Sequence, residues 1–308
     1  MSITNAPSSL LRATKTYFAQ NFKPEMSWVN LIAFRESSEF DAEVYPWLGQ
    51  PPQMEQFKDE LVFTPLSDTS YTVTNVTYAS GLEFRKEDID DNKSGTIRMR
   101  ILQQALTASA HPNKILTSAI TNGNSSTLGL CYDGVEFFKT AHPARGAEGG
   151  TQSNLLTGTG SSTAQFATDF AAARAAMLNF SGENGEPFWA NVPPELYVMV
   201  PPGLEKPARE ALQAQVISQT TNIQMNMAGV IVNPRLTGTD ANDWYMFGVN
   251  AAMKPFIFQE REALSFTSQE DPATSDAVFS RRVYRYQCAA RYAVGYGFWQ
   301  AGIKTTNS

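Results

Sequence analysis

Apolar positions along the chain change their period several times, and each change marks an element. In the first forty residues Leu10, Leu11, Thr14, Tyr17, Phe18 and Phe22 recur at helical spacing, with Ser8 or Ser9 as a cap and Pro24 as a stop. One short amphipathic helix has little to bury against by itself, so this segment reads as an arm that docks elsewhere. From Tyr45 to Phe84 the character changes, because Pro46, Gly49, Pro51, Pro52 and Pro65 exclude a long helix. Tyr71, Val73, Asn75 and Thr77 alternate with Thr72, Thr74, Val76 and Tyr78, a β-branched and aromatic run that predicts a strand. With Leu61–Phe63 as its partner, the segment reads as an extended β-hairpin. It carries Trp47, Phe57 and Phe63 but is too thin to bury them, and isolated hairpins are marginal in water, so a neighbouring surface is expected.

A long helix follows. Asp88–Asn92 gathers carboxylates and a cap at the positive end of a helix dipole. Ile97, Ile101, Ala105, Ala108, Ile115 and Ala119 then keep a near-3.6 period up to Asn122-Gly123, and Pro112 is expected to kink the helix or divide it after His111. Residues 128–160 are rich in turn signals. Ser162 and Gln165 form a capping box for a second helix, with Phe166, Phe170, Ala173 and Met177 on one face. Leu196–Val200 predicts a short strand, and Pro201-Pro202-Gly203 turns into a third helix with Leu204, Ala208, Ala211 and Leu212 inward. Val230–Val232, Tyr245–Val249 and Phe256–Phe258 predict strands, and Arg281–Ile303 is strand-like and dense in aromatics. Strands and helices do not alternate regularly, so the fold class is α+β.

Composition adds a little. Of 308 residues 18% are charged, while 19 Phe, 11 Tyr and 5 Trp supply apolar area, a balance that suits a protein with much surface held against partners. The net charge of −6 disfavours tight nonspecific DNA binding, since each phosphate contact needs a cation, and suits a wall that DNA presses against without sticking. The first 22 residues lack the apolar core of a signal peptide, and no apolar run approaches the ~20 residues that span a bilayer. The expectation is a soluble chain made in a cytoplasm, with Cys131 and Cys288 reduced and buried.

Candidate chemistry is thin. The acidic run from Asp88 places Lys93 and Met99 where a calcium loop needs Gly and Glu, so it reads as helix capping. His111 and His142 accompany no nucleophile elbow, and a convergent carboxylate pair stays open. There is no phosphate-binding Gly-rich loop, and two Cys and two His far apart in the chain do not suggest a zinc site; no cofactor or metal is expected. Arg281-Arg282-Val283-Tyr284-Arg285-Tyr286 is the one basic, aromatic-interleaved cluster. Read as a strand, it places Arg281, Arg285 and Arg291 on one face and Tyr284, Tyr286 and Tyr292 on the other. That is either a nucleic-acid stacking surface or a half-buried strand whose arginines pair with carboxylates of this or a neighbouring subunit; at −6 the second is preferred.

Three strings go beyond pattern. Cys131–Phe138 (CYDGVEFF) running into Ala141-His142-Pro143, Met253–Arg261 (MKPFIFQER) and Ala293–Gln300 (AVGYGFWQ) resemble segments of the Mu-type bacteriophage major head protein family, with weaker echoes at Tyr45–Gly49, Arg85–Asn92 and Val200–Lys206. The resemblance implies the tailed-phage capsid fold, also called Hong Kong ninety-seven-like. It implies an N-terminal arm over residues 1–40, an extended loop hairpin over 41–86, a peripheral domain over 87–189 with a spine helix at 94–122, an axial domain over 190–250, and a return to the peripheral domain over 251–308. The implied function is structural: a major capsid protein of a virion, not an enzyme, assembling in the host bacterial cytoplasm as hexamers and pentamers into an icosahedral shell around double-stranded DNA. Implied partners are further copies of the chain, a scaffolding protein and a portal, in some shells a minor or decoration protein, DNA contacted nonspecifically, and no membrane. Trp47, Phe57, Phe63, Arg281, Arg282 and Arg285 are the candidate inter-subunit contacts. The alternatives are an encapsulin-like nanocompartment shell and a soluble carboxylate-dependent hydrolase.

Overall fold

The computed structural model describes residues 16, 18, 20, 22, 25–45, 71–85, 87–88, 94–143, 150–182, 185–217, 220–251, 254–269 and 275–307. A short helix, α1 (Ser27–Ile32), leads into β1 (Ala33–Ser37). β1 lies parallel to the long β13 (Phe256–Gln269), which pairs antiparallel with β14 (Val283–Tyr296), which pairs antiparallel with β4 (Val76–Arg85). Period-2 burial is clear in β14: Tyr284, Tyr286, Cys288, Ala290 and Tyr292 are buried, while Arg285, Gln287, Ala289 and Arg291 are less so.

Against the buried face of this sheet lies α2 (Ser94–Ser109). Its Ile97, Ile101 and Ala105 join Cys288 and Phe18 in one cluster, with Phe84 and Phe266 at its edge. Phe18 stacks on Phe266 with centroids 4.3 Å apart, so the described part of the N-terminal segment docks where the helix meets the sheet. The long helix is divided, but at Ala110 and not after His111. α3 (His111–Thr121) starts afresh with Pro112 in its first turn, where a missing N–H costs nothing. The break also shifts the buried face: Leu116, Ala119 and Ile120 are buried, whereas Ala108 and Ile115, expected inward on one continuous helix, are only half-buried.

A second sheet runs in the order β11 (Ala228–Val232), β8 (Leu196–Val200), β12 (Trp244–Gly248), β15 (Gly302–Thr306), β7 (Leu155–Thr157). Leu196–Val200 and Trp244–Gly248 are almost continuously apolar, and β12 is buried at every position, as in a sheet covered on both faces. α4 (Thr163–Leu178) and α5 (Glu205–Gln213) pack on each other and on this sheet. α4 opens with the expected capping box and buries Phe166, Phe170, Ala173 and Met177. The sheet takes 155–157 and 302–306 from outside 190–250, and Val76–Arg85, within 41–86, belongs to the long sheet. The domain boundaries expected from sequence therefore cut across both ladders.

Two other readings need correction. Tyr71–Thr74 (β3) pairs with Ala42–Tyr45 (β2), not with Leu61–Phe63, which lies outside the described residues. Arg281–Ile303 is not one strand. Arg281 ends α6 (Asp276–Arg281), Arg282 takes a left-handed conformation (φ 54°, ψ 41°) that turns the chain into β14, and Gly302 starts a strand in the other sheet. Between the two sheets lies an aromatic core, where Phe137 stacks on Tyr296 at 5.1 Å and sits 5.0 Å from Phe256, with Phe138 and Phe247 beside them. Each such ring, fully buried, contributes about 1.5–3 kcal/mol. The remaining ladders are short: β5 (His142–Pro143) with β6 (Thr151–Gln152), and β9 (Val216–Ile217) with β10 (Thr220–Thr221).

Candidate functional site

The basic cluster divides between two elements. Arg281 sits on α6 and is exposed, so it does not share a strand face with Arg285 and Arg291. Arg282 places Nε 3.2 Å from Glu87, Arg285 reaches Glu83 across the β14–β4 ladder at 2.8 Å, and Arg291 pairs with Asp41. These pairs are largely exposed, so each contributes on the order of 0.2–1 kcal/mol; their effect is to fix which charges the sheet presents. Beside them runs an open groove of about 650 Å³ lined by Ser80, Gly81, Glu83, Thr267, Arg285 and Gln287. Leu82 and Tyr286 also line the groove, and Glu83 is held by Arg285.

Two buried polar knots tie distant segments together. His142 has no exposed surface; its Nδ1 lies 2.6 Å from Asp133 Oδ2, its Nε2 3.0 Å from Asn154 Oδ1, and its ring stacks on Trp299 at 4.1 Å. The Asn154 amide donates to the carbonyls of Phe137 (2.7 Å) and Gly302 (3.1 Å). Two of the three family-like strings, 131–143 and 293–300, thus meet at one place. Both ring nitrogens of His142 are engaged, so it acts as a structural pin. The second knot centres on Lys304, whose ammonium lies 2.9 Å from Asp240 and 3.1 Å from Asp243 and 5.4 Å from the centroid of the Tyr245 ring. Sequence reasoning missed Lys304 and Asn154; a lone lysine inside Gly-Ile-Lys-Thr-Thr, and the Asp240/Asp243 spacing, were the available signals.

Cys131 and Cys288 are both free and buried. Burial pushes the Cys288 thiol up to about 11 and raises that of Cys131 as well. His111 Nδ1 lies 2.6 Å from the Tyr292 hydroxyl; burial first, and Lys114 second, lower its pKa.

Several apolar side chains stand in solvent, an arrangement that marks contact surfaces when they cluster. Ile223 is 83% exposed and Phe279 80%. Phe40, Val44 and Val76 are exposed around the β2–β3 ladder, where the Asn75 amide donates to the Phe40 carbonyl at 2.9 Å. Trp47, Phe57 and Phe63, which the ladder brackets in sequence, lie outside the described residues.

A long, mostly antiparallel sheet backed by a divided helix, joined through an aromatic core to a smaller covered sheet, is the tailed-phage capsid fold. The chain superposes on the procapsid subunit of bacteriophage JBD30 with a TM-score of 0.53, covering 97% of this chain and 76% of that one at 22% identity. The family is fixed by sequence. The model of the Mu-like prophage major head subunit gpT matches residues 8–169, 160–236 and 235–308, and the chain belongs to that family. Its relatives include the Mu-like prophage FluMu major head subunit of Haemophilus influenzae, 25% identical over 97% of this chain and 73% of the relative. The major capsid protein of Escherichia phage Mu is 20% identical over 96% of this chain and 72% of its own length. The protein is a phage major capsid protein, a structural subunit and not an enzyme, which sets aside the nanocompartment and hydrolase readings.

Proposed function

We propose that the chain assembles as hexamers and pentamers into an icosahedral shell that encloses double-stranded DNA. The match to the head-subunit family along nearly the whole chain carries this reading. Assembly takes place in the host bacterial cytoplasm around a scaffolding protein, with DNA entering through a portal. In some shells a minor or decoration protein adds to the surface. Residues 1–40 form the arm, 41–86 the extended loop, 87–189 and 251–308 the peripheral domain, and 190–250 the axial domain, with β4, β7 and β15 exchanged between neighbouring parts. Support for the loop comes from the two-stranded β2–β3 ladder, which holds the ends of 46–70 side by side. Trp47, Phe57 and Phe63 are its anchors on a neighbouring subunit, because desolvated aromatics dominate interface energies. Arg281, Arg282 and Arg285 form a polar rim at a second contact.

Electron microscopy of the purified chain, with and without scaffold, tests this together with the absorbance ratio at nucleic-acid and protein wavelengths. Closed shells are expected from the wild-type chain, and soluble, folded, unassembled subunits from Trp47→Ala and Phe63→Ala. Normal shells from both variants would remove the loop assignment. A uniform small species even with scaffold would remove the capsid reading.

A further inference from the structure

Residues 211–234, between Glu210 and Arg235, are the longest stretch of the chain without a charged side chain. With 18% of all residues charged, a stretch of that length would carry about four. It takes in the close of α5 and the whole of β11, an edge strand of the smaller sheet. Between them the usual placing of polar and apolar side chains is inverted. The Asn222 side-chain amide donates to the carbonyls of Ala211 (2.7 Å) and Ala214 (2.9 Å), where α5 runs out of helical donors. The Gln224 side-chain amide donates to the Ala167 carbonyl of α4 at 2.9 Å. Ile223, Met225 and Met227 alternate with the polar residues and face solvent, as does Val216 opposite Thr221 in the β9–β10 ladder.

These apolar side chains are held out by a backbone that is itself tied down. Asn226 takes the left-handed conformation (φ 61°), and its N–H donates to the Leu212 carbonyl at 2.8 Å. The Asn222 N–H donates to the Gln215 carbonyl at 3.0 Å, and the Met227 N–H to the Gln224 carbonyl at 3.1 Å. Polar groups that water would satisfy are turned inward, and large apolar ones are turned to water. In one segment, that arrangement marks a surface covered in the assembled state.

We infer that this segment is an adjustable contact between copies of this chain. The inference rests on the reading of the protein as a shell of hexamers and pentamers. An identical partner brings like elements together, so a charge there would meet its own sign in every copy. A charge-free stretch avoids that repulsion in a ring of any number. Gln215, exposed in the same segment, both donates and accepts, so its amide is complementary to a second copy of itself. Rings of five and of six set neighbouring copies at different angles. Methionine, unbranched and with three rotatable side-chain bonds, refills the contact in both without a change of backbone.

Sedimentation velocity and electron microscopy of the full chain, with and without scaffold, test the inference. Ile223→Lys and Ile223→Asp each put one sign of charge on every copy, and each alone is expected to leave folded, unassembled subunits. An equimolar mixture, in which opposite signs meet, is expected to recover association. Ile223→Gln, which adds no charge, is expected to weaken association about tenfold or more. Met225→Ile/Met227→Ile keeps the apolar surface but stiffens it at χ1, and is expected to give tubes or rings of one size in place of closed shells. Wild-type assembly by either charged variant alone would overturn the inference, as would wild-type association by Ile223→Gln, which decides the matter should a charged variant not fold. A mixture as inert as its two components would also overturn it, in favour of a different protein on this segment. Closed shells from Met225→Ile/Met227→Ile would overturn the adjustable character of the contact. Closed shells from both the wild type and Ile223→Lys remove this contact and keep the capsid reading. Ring-sized oligomers that depend on Ile223, without closed shells from the wild type, remove the capsid reading and keep the contact.

Discussion

Replacing Lys304 by methionine isolates the contribution of the charge in the smaller sheet. Lys304 is 3% exposed, and its ammonium lies within hydrogen-bonding distance of two carboxylates, Asp240 at 2.9 Å and Asp243 at 3.1 Å. Tyr245, its cross-strand neighbour, donates its hydroxyl to the same Asp240 oxygen at 3.0 Å, and the Asn307 amide donates to Asp243 at 3.1 Å. Methionine keeps most of the stem volume but leaves two carboxylates facing each other in a buried site with no cation. Breaking a buried pair in this way costs about 3–5 kcal/mol, far more than the packing change, because the uncompensated charge stays behind. At about 2.1 cal/mol/K per residue, that lowers Tm by about 5–8 °C in a chain of 308 residues. Thermal unfolding of the dissociated subunit, followed by intrinsic fluorescence, reads the shift. Adding Asp240→Asn and Asp243→Asn to Lys304→Met restores most of the loss, since the partners no longer need the ammonium. A single variant within about 1 kcal/mol of wild type would show that the knot is solvated and that its charges are not what holds β15 in place.

Other predictions follow from the same packing. Gly297→Ala drives a Cβ against the carbonyl oxygen of Lys254, a backbone atom that cannot rotate away, while the Gly297 amide donates to the Pro255 carbonyl at 2.8 Å; a loss of about 1–3 kcal/mol is expected on urea unfolding. Ser162→Ala removes the hydroxyl that accepts from the Gln165 amide, leaving the Ser162 amide bonded to the Gln165 side chain, and is expected to lower stability by about 1 kcal/mol in the same assay, with the fold unchanged by circular dichroism. His111 titrates below its ordinary 6.5 in the fold, so the unfolded chain takes up the proton first as pH falls. Its contribution is complete above pH 6.5 and is lost as pH drops through the lower folded value. Tm measured from pH 7.5 to 5 is therefore expected to fall less steeply in His111→Gln, and parallel profiles would refute this.

What could be read in the sequence was local. The Ser162–Gln165 box and the Phe166, Phe170, Ala173, Met177 face lie within one helix, and both came through intact. Pro112 signalled a division, but not that α3 would begin one residue earlier, at His111, and shift the buried face from Ile115 to Leu116 and Ile120. Strand partners were the main failure, because Tyr71–Thr74 chooses between candidate neighbours by tertiary packing that a linear pattern does not contain. The Arg281–Ile303 error has a specific cause. Left-handed turns are usually marked by glycine, and here an arginine, Arg282, takes that conformation, so a helix end looked like a strand start. The two knots were invisible because their members are separated in sequence, Asp240 from Lys304 and Asp133 from Asn154 and Trp299. The family-like strings 131–143 and 293–300 succeeded where the pattern failed, and the structure brings the two together around His142.

The order of the smaller sheet also sets a timetable. β15 is inserted between β12 and β7, and β7 has no other sheet neighbour. A ribosome must therefore deliver residue 306 before strands made 60 to 150 residues earlier can close their ladder. Until then Trp244–Gly248 lacks one edge partner, and the aromatic core between the sheets lacks the chain that passes through Trp299. A growing polypeptide that has not yet reached β15 has neither a closed smaller sheet nor a finished aromatic core, so it offers neighbouring copies no completed surface built on them.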